Sequence, residues 1–303
     1  MGVTARKSEG LQPESTVAAP RREPVRRAGI WKRRAGRVYQ ELAPLLIVLL
    51  FIFPFLILVS TSFKPEEKVF SLPPRIWSDV WTLDNYRRVF EVMPFWRYLG
   101  NTTLIAVLSV AGTLFSSPFV AYSLAKLKWR GRDAMFLLIL ATMMLPPQVT
   151  MVPVFIMWNS TPFMGTYVPL IVPAFLGNAF FIFMLRQFFR AIPNDLLDAA
   201  RIDGANELRI YFQIVMPMAR AALATVGLFA FVWAWVDFLN PLIYLSDPDM
   251  YTLSIGLYAF FSQHGIEWGP LMAACAIFSI PLVIVFIVTQ KQLIEGISLT
   301  GLK

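Results

Sequence analysis

The stretch that decides the fold runs from Ile192 to Pro217 and reads I-P-N-D-L-L-D-A-A-R-I-D-G-A-N-E-L-R-I-Y-F-Q-I-V-M-P. It carries charges of both signs, and long apolar runs flank it on either side. A mixed-charge segment of this length is too costly to place in hydrocarbon. We therefore predict a folded loop in water, held between two membrane spans.

The local pattern of this stretch predicts two helices joined by a sharp turn. Pro193 suits the first position of a helix, and Asp195 places a negative charge at the positive end of the helix dipole. Gly204 can take the left-handed conformation that ends a helix, and Asn206 can cap the helix that follows. The sequence thus predicts a helix–turn–helix within residues 191–218.

The apolar runs predict six membrane-spanning helices. Of the 303 residues, 57% are hydrophobic, which is more than an ordinary soluble domain contains. Uncharged runs of about 20 residues are long enough to cross a bilayer. The predicted spans are Leu42–Phe63, Leu99–Ala125, two spans within Ala134–Leu185 that turn at Asn159–Gly165, Ala221–Leu245 and Gly269–Gln290.

The loops between these spans differ in charge, and this difference predicts the orientation. Six spans place both ends of the chain on one side, together with the loop Lys126–Asp133 and the charged loop. That side carries 21 of the 27 Lys and Arg residues. Because basic residues stay in the cytoplasm, we expect this side to be cytoplasmic. Residues 1–41 are predicted to be a disordered basic extension, 42–290 the membrane domain, and 291–303 a short cytoplasmic tail.

The charged loop resembles the coupling loop of ABC transporter permeases, whose pattern is E-A-A-x-x-x-G followed by apolar positions and L-P. The corresponding residues read D-A-A-R-I-D-G-A at Asp198 to Ala205 and end at Met216-Pro217, with Asp198 in place of the usual glutamate. The fuller pattern is similar to the carbohydrate-uptake branch, the maltose-type binding-protein-dependent permeases. Further similar segments are Phe95–Thr103, Met144–Pro153, Phe183–Phe189, Trp233–Leu242 and the tail from Gln292.

This resemblance implies the fold class, the function and the partners. The fold would be an all-α integral membrane protein of six transmembrane helices with a cytoplasmic helix–turn–helix coupling loop. The chain would be the permease subunit of an ATP-driven importer in the cell membrane, for a sugar or related polyol. It would work with a second permease subunit, two cytoplasmic ATP-binding subunits and an extracytoplasmic solute-binding protein. The ATPase would be contacted by Asp198, Ala199, Ala200, Asp203 and Gly204.

Several chemical functions are excluded or disfavoured by the sequence. There is no G-x-x-x-x-G-K-[ST] loop to cradle nucleotide phosphates, so we expect ATP and magnesium in the partner ATPase and no cofactor in this chain. With one histidine and one cysteine, no His/Cys metal cluster can form. We therefore predict that the chain is not an enzyme. The basic N-terminal run lacks aromatic interleaving, which favours contact with membrane lipid over nucleic acid.

The translocation pathway has four candidate residues: Asp237, Asn101, Asn178 and Gln148. Asp237 is the one charged residue well inside a predicted span, and such residues are often functional. Its alternative role is a structural hydrogen bond near the outer end of the fifth helix. Two other functions stay open from the sequence. An ion-driven secondary transporter would need coupling charges within the membrane, and a non-transporting scaffold subunit would show no dependence on an ATPase.

Overall fold

The computed structural model describes residues 2, 27–71, 73, 77–262 and 265–300, and it describes the side chains of these residues except at 27–41, 262 and 294–300. The chain divides into two compact units, Met1–Pro54 and Phe55–Lys303. Most of the described residues are helical, as predicted, and the strands among them form one short hairpin.

The helices are α1 (Arg27–Ser62), α2 (Glu66–Val69), α3 (Asp84–Val92), α4 (Phe95–Lys126), α5 (Arg132–Thr142), α6 (Pro147–Asn159), α7 (Val168–Phe175), α8 (Ala179–Ala191), α9 (Asn194–Ile202), α10 (Glu207–Ile210), α11 (Met216–Met218), α12 (Arg220–Val236), α13 (Leu239–Tyr244), α14 (Leu253–Leu257) and α15 (Trp268–Thr300). A π-helical turn covers Tyr211–Val215, and 3-10 turns cover Pro248–Met250 and Tyr258–Phe260. The hairpin pairs β1 (Phe261–Ser262) with β2 (Gly265–Ile266) in antiparallel register.

The first unit contains the N-terminal part of α1. This helix starts at Arg27, so residues 27–41 are helical, in contrast to the predicted disorder of the extension. Arg, Lys, Ala, Gln and Glu make up most of this stretch, and all of them favour helix. From Leu42 onward the helix is apolar and its side chains are largely exposed. Of the rest of the predicted extension, Gly2 is described, and residues 1 and 3–26 lie outside the described residues.

Among the described residues, four helical segments are long and apolar enough to cross a membrane: Leu42–Ser62, Phe95–Lys126, Val168–Ala191 and Trp268–Leu293. The count rises to six if each of two bent helix pairs is one span. One pair is α5 with α6, which meet at 97° in the predicted third span. Pro146 and Pro147 stand at this break, where proline removes a backbone donor and restricts the residue before it. The turn predicted near Asn159–Gly165 is present between α6 and α7.

The second bent pair joins the charged loop to α12. The segments Glu207–Met218 and Arg220–Val236 meet at 79°. The predicted fifth span extended to Leu245, but α12 ends at Val236 and the chain turns at Asp237 before the short α13. The fifth span is therefore shorter than the apolar run that predicted it, and it ends where Asp237 interrupts that run.

Helix α4 is central to the second unit, where it packs against α7, α8 and α12. Gly112 permits a close approach between α4 and α7, because a Cβ at this position would lie 2.5 Å from the ring of Phe175. One buried apolar cluster combines α4, α8 and α12 with residues of the charged loop. The loop is therefore part of the core of this unit, and its position is fixed relative to three spans.

Candidate functional site

The turn of the coupling loop, residues 191–218, is closed by backbone hydrogen bonds around Gly204. Helix α9 ends at Ile202, and Gly204 has a φ of +81°, in the left-handed region that favours glycine. The amide of Ala205 donates to the carbonyl of Ala200 at 2.9 Å, and the amide of Gly204 donates to that of Arg201 at 3.0 Å. These two bonds form a Schellman motif, so the predicted role of Gly204 is confirmed.

The second arm of the loop begins at Asn206. Its side chain accepts a hydrogen bond from the backbone amide of Arg209 at 2.8 Å, which confirms the predicted cap. Ile210, Tyr211 and Val215 then turn inward and are buried in the cluster that α4, α8 and α12 form. This burial attaches the second arm to the spans.

The five residues predicted to contact an ATPase lie together on α9 and its turn. Asp198, Ala199, Asp203 and Gly204 are exposed, so they are accessible to a partner. Ala200 is half-buried and packs against the apolar cluster instead. The exposed face of α9 is therefore formed by the other four residues and their neighbours, and we call it the docking face.

Apolar residues beside these four were missed from the sequence. Ile202 is 86% exposed, and Leu196, Leu208 and Phe212 are also exposed on the loop. The signal for Ile202 was available, since no large apolar residue stands three or four positions from it. It could not belong to an apolar stripe that faces the core. Exposed apolar side chains within a charged loop are typical of an interaction surface.

A chain of polar contacts connects the docking face to span α4. The guanidinium of Arg201 donates to Oδ1 of Asp198 at 2.5 Å and to Oε1 of Glu207 at 2.8 Å. The second carboxylate oxygen of Glu207 accepts a hydrogen bond from the hydroxyl of Tyr122 at 2.6 Å. The hydrogen bond to Glu207, together with that to Asp198, raises the pKa of Arg201 above its ordinary value, so the guanidinium stays charged.

Lys126 makes a second connection between α4 and the loop. It is the last residue of α4, and its ammonium donates to the carbonyl of Ile192 at 2.6 Å and to Oδ1 of Asn194 at 2.8 Å. These two acceptors stand where the chain leaves α8 and begins α9. The start of the docking helix is thus held by the end of the span.

The predicted pathway residue Asp237 ends α12. Its carboxylate accepts hydrogen bonds from the side-chain amide and the backbone amide of Asn240, at 2.9 and 3.2 Å. Its carbonyl accepts from the hydroxyl of Ser254 at 2.6 Å. These bonds match the structural alternative given above, a hydrogen-bonded carboxylate near the end of the fifth helix.

The other three pathway candidates lie on different elements. Asn101 donates to the carbonyls of Asp249 and Tyr251, at 2.9 Å each, and so joins α4 to the segment before α14. Asn178 caps α8 by accepting from its first amides. Gln148 is exposed near the start of α6. Their participation in translocation stays a prediction. Within the described ranges, no group of three or more His, Cys, Asp or Glu residues could hold a metal ion.

The family described as "Binding-protein-dependent transport system inner membrane component" matches residues 117–298, more than half of the chain. The match includes the whole coupling loop. The chain belongs to this family. It is a permease subunit of an ABC importer and a multi-pass membrane protein, as the resemblance of its motifs implied.

Relatives of this permease extend the similarity over most of its length. The arabinooligosaccharides transport system permease protein AraQ of Halalkalibacterium halodurans is 34% identical over 260 residues, which cover 85% of this chain and 93% of the relative. The sulfoquinovosyl glycerol transport system permease protein SmoH of Agrobacterium fabrum is 30% identical over 270 residues, which cover 89% and 95%.

The fold of this permease also matches a solved structure. A chain in the crystal structure of a bacterial ABC transporter involved in the import of the acidic polysaccharide alginate superposes with a TM-score of 0.74. The match covers 86% of this chain and 97% of that chain, at 24% identity.

Family membership decides between the functions considered from the sequence, in favour of the importer permease.

Proposed function

We propose that this permease imports a sugar or a related polyol. The names of the two relatives support this substrate class, since one transports arabinooligosaccharides and the other sulfoquinovosyl glycerol. The permease works with a second permease subunit and an extracytoplasmic solute-binding protein. Two cytoplasmic subunits bind ATP and magnesium and perform the hydrolysis, and the permease itself catalyses no reaction.

The proposed orientation places both ends of the chain and the coupling loop in the cytoplasm. The support is the distribution of Lys and Arg residues, of which 21 of 27 belong to this side. The same orientation brings the docking face to the compartment that contains ATP. The loop Lys64–Tyr98 and the segment Ser246–Trp268 then face the solute-binding protein.

The observation that carries this function is the docking face together with its polar connection to α4. Burying a large aliphatic side chain such as Ile202 stabilises an interface by roughly 1.5–3 kcal/mol. The acidic residues Asp198 and Asp203 lie on the same face and offer charged acceptors to a partner. This face has both an apolar and an acidic component, and it is held rigidly on the spans. It is therefore suited to bind a partner subunit whose movement it transmits.

The mechanism follows from these connections. When the ATP-binding subunits close, they move α9 with them. Arg201 and Glu207 transmit this movement to Tyr122, and Lys126 transmits it from the start of α9. Both paths end on α4, which packs against α7, α8 and α12. A shift of α4 therefore repacks several spans at once, as alternating access requires.

Co-purification tests the docking. Ala199→Arg places a long charged side chain on the docking face, and we expect the ATP-binding subunit to be lost from the purified importer. Ala191→Arg is the matched control, because Ala191 is exposed at the end of α8 outside the docking face. Equal retention of the ATPase by both variants would contradict the proposed contact.

The substrate class has a separate test. The solute-binding protein that purifies with the importer is titrated with mono- and oligosaccharides, polyols, amino acids and peptides. We expect saturable binding of a carbohydrate or polyol. A solute-binding protein that binds an amino acid or peptide instead would contradict the proposed substrate class. It would not affect the proposed role of the coupling loop.

A further inference from the structure

A strongly basic cavity lies next to the coupling loop. It has a volume of about 510 Å³ and opens between the ends of α4 and α8 and the starts of α5 and α9. Four cationic side chains, Lys126, Arg132, Arg186 and Arg190, line it against one carboxylate, that of Asp133. The lining therefore has an excess of three positive charges.

Arg186 lines this cavity and is 6% exposed, so it is the most deeply buried of the four cations. Its Nε donates to the carbonyl of Leu124 at 3.2 Å, and one terminal nitrogen lies 3.5 Å from Oδ1 of Asp133. Its guanidinium carbon lies 3.7 Å from the ring centre of Phe136. The side chain is thus held in one orientation. A guanidinium has five N–H donors, more than these two acceptors use.

A second cation of the lining, Arg132, is oriented by the same carboxylate as Arg186. Arg132 is paired with Asp133, where Nε lies 3.2 Å from Oδ1, so this carboxylate is shared between two guanidinium groups. Asn194 also lines the cavity and is the first residue of α9. The positive end of the α9 dipole therefore adds to the positive potential. The cavity is suited to an anion with several acceptor oxygens.

We propose that this cavity binds the phosphate group of an anionic phospholipid. The positions of the four basic residues at the ends of the spans support a lipid as the source of the phosphate. Lys126 ends one span, Arg132 begins another segment, and Arg186 and Arg190 are in the last turns of the segment Val168–Ala191. The ends of membrane spans reach the headgroup layer, and basic pockets between transmembrane helices on the cytoplasmic side bind lipid headgroups.

The adjoining loop has the character of a membrane interface. Trp129, in the loop before α5, is 40% exposed, and tryptophan is enriched at the level of the headgroups. The cavity lies beside the two acceptors of Lys126 at the start of α9. A bound lipid would thus contact the docking helix and stabilise its attachment to α4.

Native mass spectrometry of the purified importer tests this site. The importer is titrated with phosphatidylglycerol, with phosphatidylcholine and with inorganic phosphate. The variant Arg132→Gln with Arg190→Gln removes two lining charges and leaves the buried Arg186 in place. The control Lys128→Gln with Arg130→Gln removes two exposed charges of the neighbouring loop that do not line this cavity.

We expect phosphatidylglycerol to bind tightly to the natural protein and the control, and about 30-fold more weakly to the lining variant, since each basic residue contributes roughly a factor of five. Phosphatidylcholine should bind more weakly to all three. Equal affinity of phosphatidylglycerol for all three proteins would overturn the proposal. If inorganic phosphate binds as tightly as phosphatidylglycerol, the site does not require a lipid, and the proposed lipid ligand is overturned. Association of the ATPase with each variant is measured separately. Failure of the proposed ATPase docking can therefore be distinguished from failure of the proposed lipid site.

Discussion

The hydroxyl of Tyr122 lies 2.6 Å from Oε2 of Glu207, and this bond joins the last turns of α4 to the second arm of the coupling loop. The other oxygen of the same carboxylate accepts a hydrogen bond from Arg201, which belongs to α9. Glu207 therefore links both helices of the loop to a span through a single carboxylate. The docking face is thus connected to α4 through three side chains, those of Arg201, Glu207 and Tyr122.

Glu207→Gln should weaken transport more than assembly. The amide removes the negative charge that Arg201 pairs with, and we expect transport to fall severalfold while the ATPase remains bound. Because the Arg201–Glu207 pair is partly exposed, the free energy of unfolding should fall by about 0.5–1 kcal/mol. Transport and co-purification are measured in parallel.

Tyr122→Phe provides the second half of a double-mutant cycle. It removes one hydroxyl and leaves the ring in place. If the contact transmits movement, the effects of Tyr122→Phe and Glu207→Gln on transport should be less than additive. Fully additive effects would show that the two residues act independently.

Gly204→Ala should loosen the turn of the coupling loop. No heavy atom lies within 4 Å of a Cβ at this position, so the cost is the left-handed backbone alone, about 1–2 kcal/mol. We expect reduced retention of the ATPase. Gly100→Ala is the control, since Gly100 is helical and equally uncrowded, and alanine there should be neutral or stabilising. An unaffected Gly204→Ala importer would argue against a rigid turn.

Gly112→Ala should disturb the packing of α4 on α7. The new methyl group would lie 2.5 Å from the ring of Phe175, and overpacking of this kind costs roughly 1–3 kcal/mol. Thermal unfolding in detergent would show a lower midpoint. At Gly227, within α12, the nearest atom to an added Cβ is 3.6 Å away, an ordinary contact, so Gly227→Ala should unfold at or above the midpoint of the natural protein.

Glu66→Gln should weaken the start of α15. The two carboxylate oxygens of Glu66 accept hydrogen bonds from the amides of Trp268 and Gly269, at 2.9 and 2.7 Å. Gln offers one acceptor and no charge to this helix end, so we expect a loss of about 1 kcal/mol in unfolding free energy. Glu67→Gln, at the neighbouring exposed position, should have little effect, and equal losses for both variants would refute the capping role.

Cysteine labelling tests the orientation of the loops. In a Cys275→Ser background, which removes the one native cysteine, a thiol is placed at Lys128, which is exposed in the loop before α5, or at Trp77, which is 66% exposed. A membrane-impermeant maleimide added to intact cells should label the Trp77→Cys variant. The Lys128→Cys variant should react only after the cells are opened. The reverse pattern would invert the proposed topology.

The sequence predicted the features that depend on local chemistry. The helix, glycine turn and cap of the coupling loop follow from residues a few positions apart, and the structure confirms them. Contacts between distant residues could not be predicted. Tyr122 and Glu207 are 85 positions apart, and neither carries a motif that identifies the other. The angle of 97° between α5 and α6 could not be predicted either, because Pro146 and Pro147 mark where a helix breaks but not how far it bends.

The 79° bend between the segments Glu207–Met218 and Arg220–Val236 makes the second arm of the coupling loop an angled extension of α12. The segment from Glu207 to Met218 is a lever arm of about 18 Å at the helical rise per residue. A rotation of about 10° about Ala219 would displace the far end of this arm by about 3 Å, at right angles to the arm. Conversely, a displacement of this size at the docking face would correspond to a rotation of about 10° at α12. Because Ile210, Tyr211 and Val215 bury the arm against α4, α8 and α12, these spans would turn with it.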